Sequence, residues 1–229
     1  MNTISTSGCA LITSLTTETT PIEIVNQIKT EIKTKQFQKG EYIFVAGQEI
    51  QSVVAINSGL VKMYYMDHFG NEFTLKILTA GDVIGHRHVL DNDTFNGYLQ
   101  ALENTEICTL SKSYYSHLID TEITMCKRLI ELLCSDLRLA KEIIANLSLK
   151  DVKHRICSIL IKLHKQFSDP GSDIINAELS REDFAKLVGV ARESLSRSLS
   201  ELVNDKIIII DKKKIKIVDW NKLIQLSKI

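Results

Sequence analysis

The spacing of hydrophobic residues divides the chain into three parts. Isoleucines at positions 24, 28 and 32 recur every four residues, which predicts a short amphipathic helix. From residue 40 to residue 110 the apolar residues alternate with a period of two, and glycines separate the segments. Short strands of similar length closed by glycine turns favour a barrel or roll. The first twenty residues are rich in Ser and Thr without a periodic apolar face, so we expect them to be mobile.

The second part, residues 112–147, is predicted to be one long helix. Its apolar residues step by three or four positions over several turns, and part of this stripe is expected to pack on the roll. A helix this long has more apolar surface than one small roll can cover, so we predict a two-fold contact with a second copy. The predicted dimerisation residues are Leu129, Leu133, Leu137, Ala140, Ile144 and Leu147.

The third part has the pattern of two short helices joined by a tight turn. Asp151 is expected to cap a helix that runs to Phe167, and Ser180 with Asp183 resembles a capping box at the start of the next helix. Gly189 marks the turn into the second short helix. The segment KIIIIDKKKIKIVDW then predicts two strands with lysines at the hairpin tip, at positions 212, 213 and 214.

The second short helix has two different sides. Leu195, Leu199 and Leu202 fall on one side, which predicts a core face. The opposite side carries Arg192, Glu193, Ser196, Arg197 and Ser200. Such a face is often merely solvated, but the preceding helix and the glycine turn have helix-turn-helix spacing, and the polar residues begin the helix that enters a major groove. Arginine can bind guanine O6 and N7, and glutamate can accept from cytosine N4.

Charge is distributed unevenly although the chain is neutral overall. Residues 1–149 hold 12 basic and 17 acidic side chains, and residues 150–229 hold 16 basic and 11 acidic ones. This asymmetry either arises by chance or marks a basic half that meets a polyanion such as DNA. No apolar run reaches the roughly 18 residues of a membrane helix. The N-terminal segment MNTISTSGCALITSL lacks Lys and Arg and is a poor secretory signal, so we expect a cytoplasmic protein with no membrane partner.

Three blocks of the sequence resemble the CRP/FNR superfamily of bacterial transcription regulators. LSREDFAKLVGVARESLSRSLSELVNDKII is similar to the family's winged helix, NLSLKDVKHRICSIL to its hinge, and KGEYIFVAGQEIQSVVAINSGLVKMYYMDHFGNEFTLKILTAGDVIG to its β-roll. The resemblance implies an α+β fold. It also implies that the protein is not an enzyme. Its expected parts are a mobile tail and short helix (1–36), a cyclic-nucleotide-binding-type β-roll (37–111), a long dimerisation helix (112–149) and a winged helix-turn-helix (150–229).

The resemblance also implies how DNA is read. The family's recognition residues fall on Arg192, Glu193, Ser196 and Arg197, with further DNA contacts expected from Ser180, Ser200, Lys212, Lys213 and Lys214. The Glu-x-x-Ser-Arg form is similar to the FNR branch, which implies a palindrome related to TTGA…TCAA bound by a homodimer. RNA polymerase is the further partner implied. Two positions depart from the family pattern, since Ala191 replaces a capping Ser or Thr and Ser198 replaces an apolar residue.

The segment VIGHRHVLDNDTFNGYLQ lies where cyclic-nucleotide members of the family bind their ligand. His86 stands in place of the ribose-binding Glu, and Phe95-Asn96 in place of the phosphate-binding Arg-Ser pair. Ala140 and Lys141, near the expected adenine position, lack hydroxyl groups. A cyclic phosphate would lose its main charge-assisted hydrogen bonds here. We therefore expect no response to cAMP and no bound cofactor.

Two histidines in this segment offer a rival interpretation. His86 and His88, two apart on a predicted roll strand, resemble with Asp91 or Asp93 half of a cupin metal motif. A cupin would need a third histidine on a later strand, and none follows in the roll. Two surface histidines without a metal are the simpler interpretation.

Five cysteines remain, at positions 9, 108, 126, 134 and 157, without a CxxC motif. Cys126 and Cys134 lie about 12 Å apart along one helix, too far to bridge, and Cys157 has a core pattern. One N-terminal cysteine and one late in the roll are similar to the FNR-like (Flp) regulators of lactic acid bacteria, which implies a thiol–disulfide switch of Cys9 and Cys108. The alternative is that Cys108 is a small core residue and Cys9 belongs to a free tail.

Overall fold

A computed structural model describes residues 9–91, 93–177, 179–212 and 214–228. The chain forms two compact units, Met1–Arg138 and Leu139–Ile229, and each is described by itself. In the part of the chain that the structure describes, every helix is too short or too polar to cross a membrane.

The first unit contains two four-stranded antiparallel sheets, as the predicted β-roll requires. One sheet has the order β1-β8-β3-β6 and is built from Lys33–Phe37 (β1), Ser52–Ser58 (β3), Val83–Ile84 (β6) and Thr105–Ser111 (β8). The other has the order β2-β7-β4-β5 and is built from Tyr42–Phe44 (β2), Val61–Met66 (β4), Glu72–Leu78 (β5) and Tyr98–Ala101 (β7).

Apolar side chains from both sheets fill the space between them. Val54, Ile56 and Ile107 point inward from the first sheet, and Val61 and Leu99 from the second. Because successive side chains in a strand point to opposite faces, the residues beside them face outward. Val53, Ala55, Cys108 and Leu110 accordingly lie in a separate cluster on the outer face of the first sheet.

Helices cover that outer face. The helices of the first part of the chain are Ala10–Leu15 (α1), Ile22–Glu31 (α2), His86–Asp91 (α3), Lys112–Thr121 (α4) and Ile123–Leu149 (α5). Their buried side chains in the outer cluster include Leu11 and Leu15 of α1, Tyr115 of α4 and Met125 of α5.

Two expectations about these helices are wrong. The first twenty residues are not simply a mobile tail, because Leu11 and Leu15 anchor α1 on the sheet; residues 1–8 lie outside the described residues. The stretch from residue 112 is not one helix either. Glu122 adopts an extended backbone conformation, so α4 ends at Thr121 and the long helix begins at Ile123.

The second unit has the predicted winged-helix order. Its elements are Val152–Phe167 (α6), Ile174–Ile175 (β9), Arg181–Val188 (α7), Arg192–Asn204 (α8), Ile208–Asp211 (β10), Lys214–Ile217 (β11) and Trp220–Ser227 (α9). The predicted cap of α6 is confirmed, since Asp151 accepts from the His154 amide at 2.9 Å and the helix ends at Phe167. The periodicity did not reveal β9 or α9, which are short elements packed on the core of this unit.

Candidate nucleic-acid interface and cysteine pair

The turn between α7 and α8 fixes the direction in which α8 leaves the core. Gly189 has φ 72° and ψ 48°, and its amide and that of Val190 both donate to the Ala185 carbonyl, at 2.9 and 3.1 Å. This left-handed closure of a helix favours glycine, which has no Cβ to clash. The turn lets α8 follow α7 closely, as the sequence predicted.

Helix α8 has the two predicted sides. Leu195, Leu199 and Leu202 are buried in the core of the unit. Arg192, Glu193, Ser196, Arg197 and Ser200 are all exposed. The structure thus presents both arginines and the glutamate on one solvent-facing surface. Two basic donors and one carboxylate acceptor at the start of a helix are the groups that read base edges in a major groove.

Ser180 and Ser200, two of the predicted DNA contacts, already form hydrogen bonds within helices. The Ser180 hydroxyl accepts from the Asp183 amide at 3.0 Å and donates to the Asp183 carboxylate at 2.6 Å, so it caps α7. The Ser200 hydroxyl donates to the Ser196 carbonyl at 3.0 Å. Ala191 precedes α8 without a side-chain oxygen, which leaves first-turn amides of α8 available to an anion.

A groove of about 310 Å³ lies beside α8, and its basic lining residue was not among the predicted site residues. It is lined by Arg181, Ser196, Leu199, Ser200, Val203, Asn204 and Ile210. Arg181 is the first residue of α7, directly after the capping Ser180. Its position in the sequence could have identified Arg181 as a site residue, because a basic residue at the start of the first motif helix is well placed to meet a phosphate.

The wing joins β10 to β11 at the pairing of Asp211 with Lys214. Lys212 is exposed and has a positive φ of 53°, and Lys214 is also exposed. The predicted third lysine of this tip, Lys213, lies outside the described residues. The tip therefore presents at least two cations at the end of the hairpin.

The structure brings the two predicted cysteines of the first unit together. Cys9 precedes α1 directly and Cys108 lies on the outer face of β8, with 0% of its surface exposed. Their sulfurs are joined as a disulfide and their Cα atoms are 6.5 Å apart, within the usual range for a bridge. Tyr115 lies in the same apolar cluster, and its burial raises the pKa of its hydroxyl to about 12, which keeps the hydroxyl neutral.

The remaining cysteines differ in exposure. Cys134 is exposed on α5 and Cys126 is half-buried there. Cys157 is buried in the core of the second unit, as its pattern predicted. Burial raises the pKa of the Cys157 thiol to about 11, so it stays a protonated core side chain.

The interior of the roll contains an aromatic side chain near the place where the cyclic-nucleotide resemblance puts a phosphate. Phe95 is 0% exposed within the core between the sheets and packs against Phe44, with ring centroids 5.6 Å apart. An apolar ring supplies none of the charge-assisted hydrogen bonds that a buried phosphate requires.

The two histidines of the rival interpretation do not lie on a strand. His86 and His88 belong to the short helix α3 and are both buried, so the expectation of surface histidines is wrong as well. His86 Nε2 is 3.0 Å from an Asp136 carboxylate oxygen, and burial lowers the pKa of His88. Among the described residues no three His, Cys, Asp or Glu side chains are grouped as metal ligands.

Helix α5 presents a stripe of aliphatic side chains to solvent. Leu137 is 56% exposed and Ile144 is 64% exposed, while Leu133 is half-buried and Leu147 and Ala140 are exposed. Leu129 differs from the prediction, because it is only 4% exposed and lies on the same side of the helix as the buried Met125. Ile130 is exposed instead and continues the heptad spacing of the stripe. Leu129 and Ile130 are neighbouring apolar residues, so the sequence alone did not reveal which of them belongs to the stripe.

Comparisons with known proteins agree with both units. Residues 154–226 match a family described as a Crp-like helix-turn-helix domain, and residues 34–122 match a cyclic nucleotide-binding domain. The fumarate and nitrate reduction regulatory protein of Vibrio cholerae is 27% identical over 197 residues, covering 85% of this chain and 78% of that protein. Electron transport regulator A of Shewanella oneidensis is 28% identical over 193 residues, covering 83% of this chain and 77% of that protein.

Solved structures share the fold. FixK2 from Bradyrhizobium japonicum aligns with a TM-score of 0.79 at 19% identity, covering 86% of this chain and 98% of the other. A CooA variant from Carboxydothermus hydrogenoformans aligns with a TM-score of 0.74 at 22% identity, covering 93% and 97%. With the roll, the exposed polar face of α8 and these relatives in place, the chain belongs to the CRP/FNR family of DNA-binding transcriptional regulators.

Proposed function

We propose that the protein acts as a homodimer that binds a palindromic operator related to TTGA…TCAA and responds to thiol oxidation through Cys9 and Cys108. The observation that carries the DNA part is the exposed face of α8, on which Arg192, Glu193 and Arg197 stand together while the leucines opposite are buried. A promoter-bound dimer of this kind would have RNA polymerase as its further partner in the cytoplasm.

The proposed contacts divide into base readout and backbone positioning. Glu193 and Arg197 are assigned to base edges, because an acceptor and a bidentate donor one helical turn apart can read neighbouring base pairs. Arg181, Lys212 and Lys214 are assigned to phosphates, which fix register but carry no sequence information. The uncapped start of α8 adds peptide N–H donors for the same backbone.

The homodimer is supported by the aliphatic stripe of α5. Ile130, Leu133, Leu137, Ala140, Ile144 and Leu147 repeat every three and four residues. This is the a/d spacing of a left-handed coiled coil. Each exposed isoleucine or leucine that becomes buried contributes about 1.5–3 kcal/mol. A palindrome with half-sites one helical turn apart requires two α8 helices about 34 Å apart, one from each copy.

The redox response is supported by the proximity of Cys9 and Cys108. The bridge forms when the two thiols lose two protons and two electrons. Glutathione disulfide accepts these two protons and two electrons and is reduced to two glutathione molecules. Cys9 is half-buried whereas Cys108 is fully buried, so we propose that a reducing thiol approaches the bridge from the side of Cys9. The pairing of one N-terminal cysteine with one roll cysteine is the reason we propose the Flp type of regulator.

Exchanging Arg197 for alanine is expected to weaken operator binding by about 1–3 kcal/mol for each half-site and to relax the preference at one base pair of each half-site. The reason is the loss of a bidentate contact to a base edge. Fluorescence anisotropy on duplexes with all four bases at each half-site position measures both effects.

Lys214→Ala is the matched control, because it also removes one exposed cation. It is expected to weaken binding to all duplexes about equally and to reduce the salt slope by about 1.8, because each subunit of the dimer loses one phosphate contact worth about 0.9. An Arg197→Ala protein that weakens equally on every duplex would contradict base readout by this residue.

Millimolar cAMP or cGMP is expected to leave the melting temperature of the protein unchanged. Phe95 occupies the interior near the phosphate position, and His86 is paired with Asp136. A ligand at 100 times its dissociation constant would add about 2.7 kcal/mol, which a thermal melt detects easily. The palindromic duplex serves as the positive control, and a clear shift with either nucleotide would refute the proposal.

A further inference from the structure

We propose that Arg128 is the positioning residue that makes the conformation of the start of helix α5 depend on whether α1 is docked on the roll. This inference rests on the proposed redox function and assigns it a route into the long helix. Arg128 Nε donates to the Ser14 backbone carbonyl at 2.6 Å, so one side chain of α5 holds the last turn of α1. The guanidinium also donates to Glu131 of its own helix at 2.7 Å.

Helix α1 is held against the roll by a second set of contacts. The Ala10 amide donates to the Asn57 side chain at 3.1 Å, and the Ser14 hydroxyl donates to the Gly81 carbonyl at 2.6 Å. Leu11 and Leu15 are buried in the outer cluster together with Cys108. Docking of α1 therefore joins three parts of the first unit: the sheet, the disulfide and the start of α5.

The contact from Arg128 has a clear physical role. The last four carbonyls of a helix lack partners within it and carry partial negative charge. The last turn of α1 contains no basic residue of its own, so Arg128 supplies the cation from another element. If α1 leaves the roll, the guanidinium loses this acceptor and keeps Glu131, which changes how the first turns of α5 are held.

Those first turns carry part of the exposed aliphatic stripe. Ile123 is exposed at the start of α5, and Ile130 lies two residues after Arg128. A change in the docking of α1 thus acts on the part of α5 that begins the proposed dimer seam. Coupling between two sites is reciprocal, so a contact that stabilises docked α1 also favours the disulfide formed by Cys9 next to it.

Arg128→Gln is expected to lower the equilibrium constant for forming the Cys9–Cys108 disulfide by about tenfold in glutathione buffers. That change raises the midpoint potential by about 30 mV. The difference in operator affinity between the oxidised and reduced protein is expected to fall to less than about twofold, because a charge-assisted contact between α1 and α5 is lost. Thiol alkylation with mass spectrometry and fluorescence anisotropy provide the two measurements on the full-length protein.

Three further variants make the result specific. Arg128→Lys keeps the cation. Its equilibrium constant for forming the disulfide is expected to stay within about threefold of the wild-type value. Ser14→Ala removes the hydroxyl contact with Gly81 but keeps the carbonyl that Arg128 binds, so the midpoint shifts while operator binding still responds to oxidation. Arg138→Gln removes an exposed arginine of the same helix and is expected to change neither quantity.

An Arg128→Gln protein with the wild-type midpoint and the wild-type redox response overturns the inference. If wild-type operator affinity is the same in both redox states, the proposed redox function fails and Arg128 has no signal to transmit. A shifted midpoint in Arg128→Gln would then still demonstrate the link between α1 and α5. The two failures are therefore distinguishable from the same data.

Discussion

A Leu137→Glu variant is expected to be a monomer at micromolar concentration and to bind the palindromic operator at least about 100-fold more weakly than wild type. Leu137 stands in the middle of the exposed stripe on α5, at 56% exposure in the single chain. A glutamate there would place two like charges across a two-fold seam and bury them without partners. Losing the second subunit removes the avidity of two linked half-sites, which is typically worth a factor of 10²–10⁴.

Sedimentation velocity and fluorescence anisotropy measure the two parts of this prediction. Ser135→Glu is the matched control, because it adds the same charge to an exposed position on the opposite side of the same helix. It is expected to remain dimeric with nearly wild-type affinity. A dimeric Leu137→Glu protein would show that the second copy uses another surface.

Cys9→Ser is expected to remove the effect of oxidants on the protein. In wild type the bridge spans 99 residues of sequence, and closing a loop of about 100 residues stabilises by at most about 4–5 kcal/mol. Hydrogen exchange of the β3 and β8 amides should therefore be slower in oxidised wild type than in oxidised Cys9→Ser. The two proteins should exchange alike once a reductant is present.

Operator affinity should follow the same pattern. We expect a difference of about 5- to 150-fold between oxidised and reduced wild type, the usual range of regulatory coupling, and none in Cys9→Ser. Cys9 is the better position to change, because a serine at the fully buried position 108 would leave a hydroxyl in an apolar cluster. Cys134→Ser, at an exposed free cysteine, should keep the wild-type response. If Cys9→Ser keeps it too, the signal enters elsewhere.

The local features of the DNA-binding half followed from the sequence. Capping by Asp151 and Ser180, the turn at Gly189 and the two sides of α8 depend on neighbours within a few residues, and the structure has them where the pattern predicted. These interactions are short in sequence separation, so residue type and spacing are sufficient to place them. The alternation of the roll strands is a feature of the same kind.

Other features depended on which elements meet in space. Adjacent Leu129 and Ile130 fit the helical spacing equally well, and only the packing of α5 beside Met125 buries the first and exposes the second. The N-terminal segment looked free because Leu11 and Leu15 give only one helical repeat in a six-residue helix, and only the sheet packed against them buries them. Likewise, the Arg128 side chain meets the Ser14 carbonyl across 114 residues of sequence. Apolar pattern is local, whereas burial and long-range hydrogen bonds are decided by the tertiary structure that brings distant segments together.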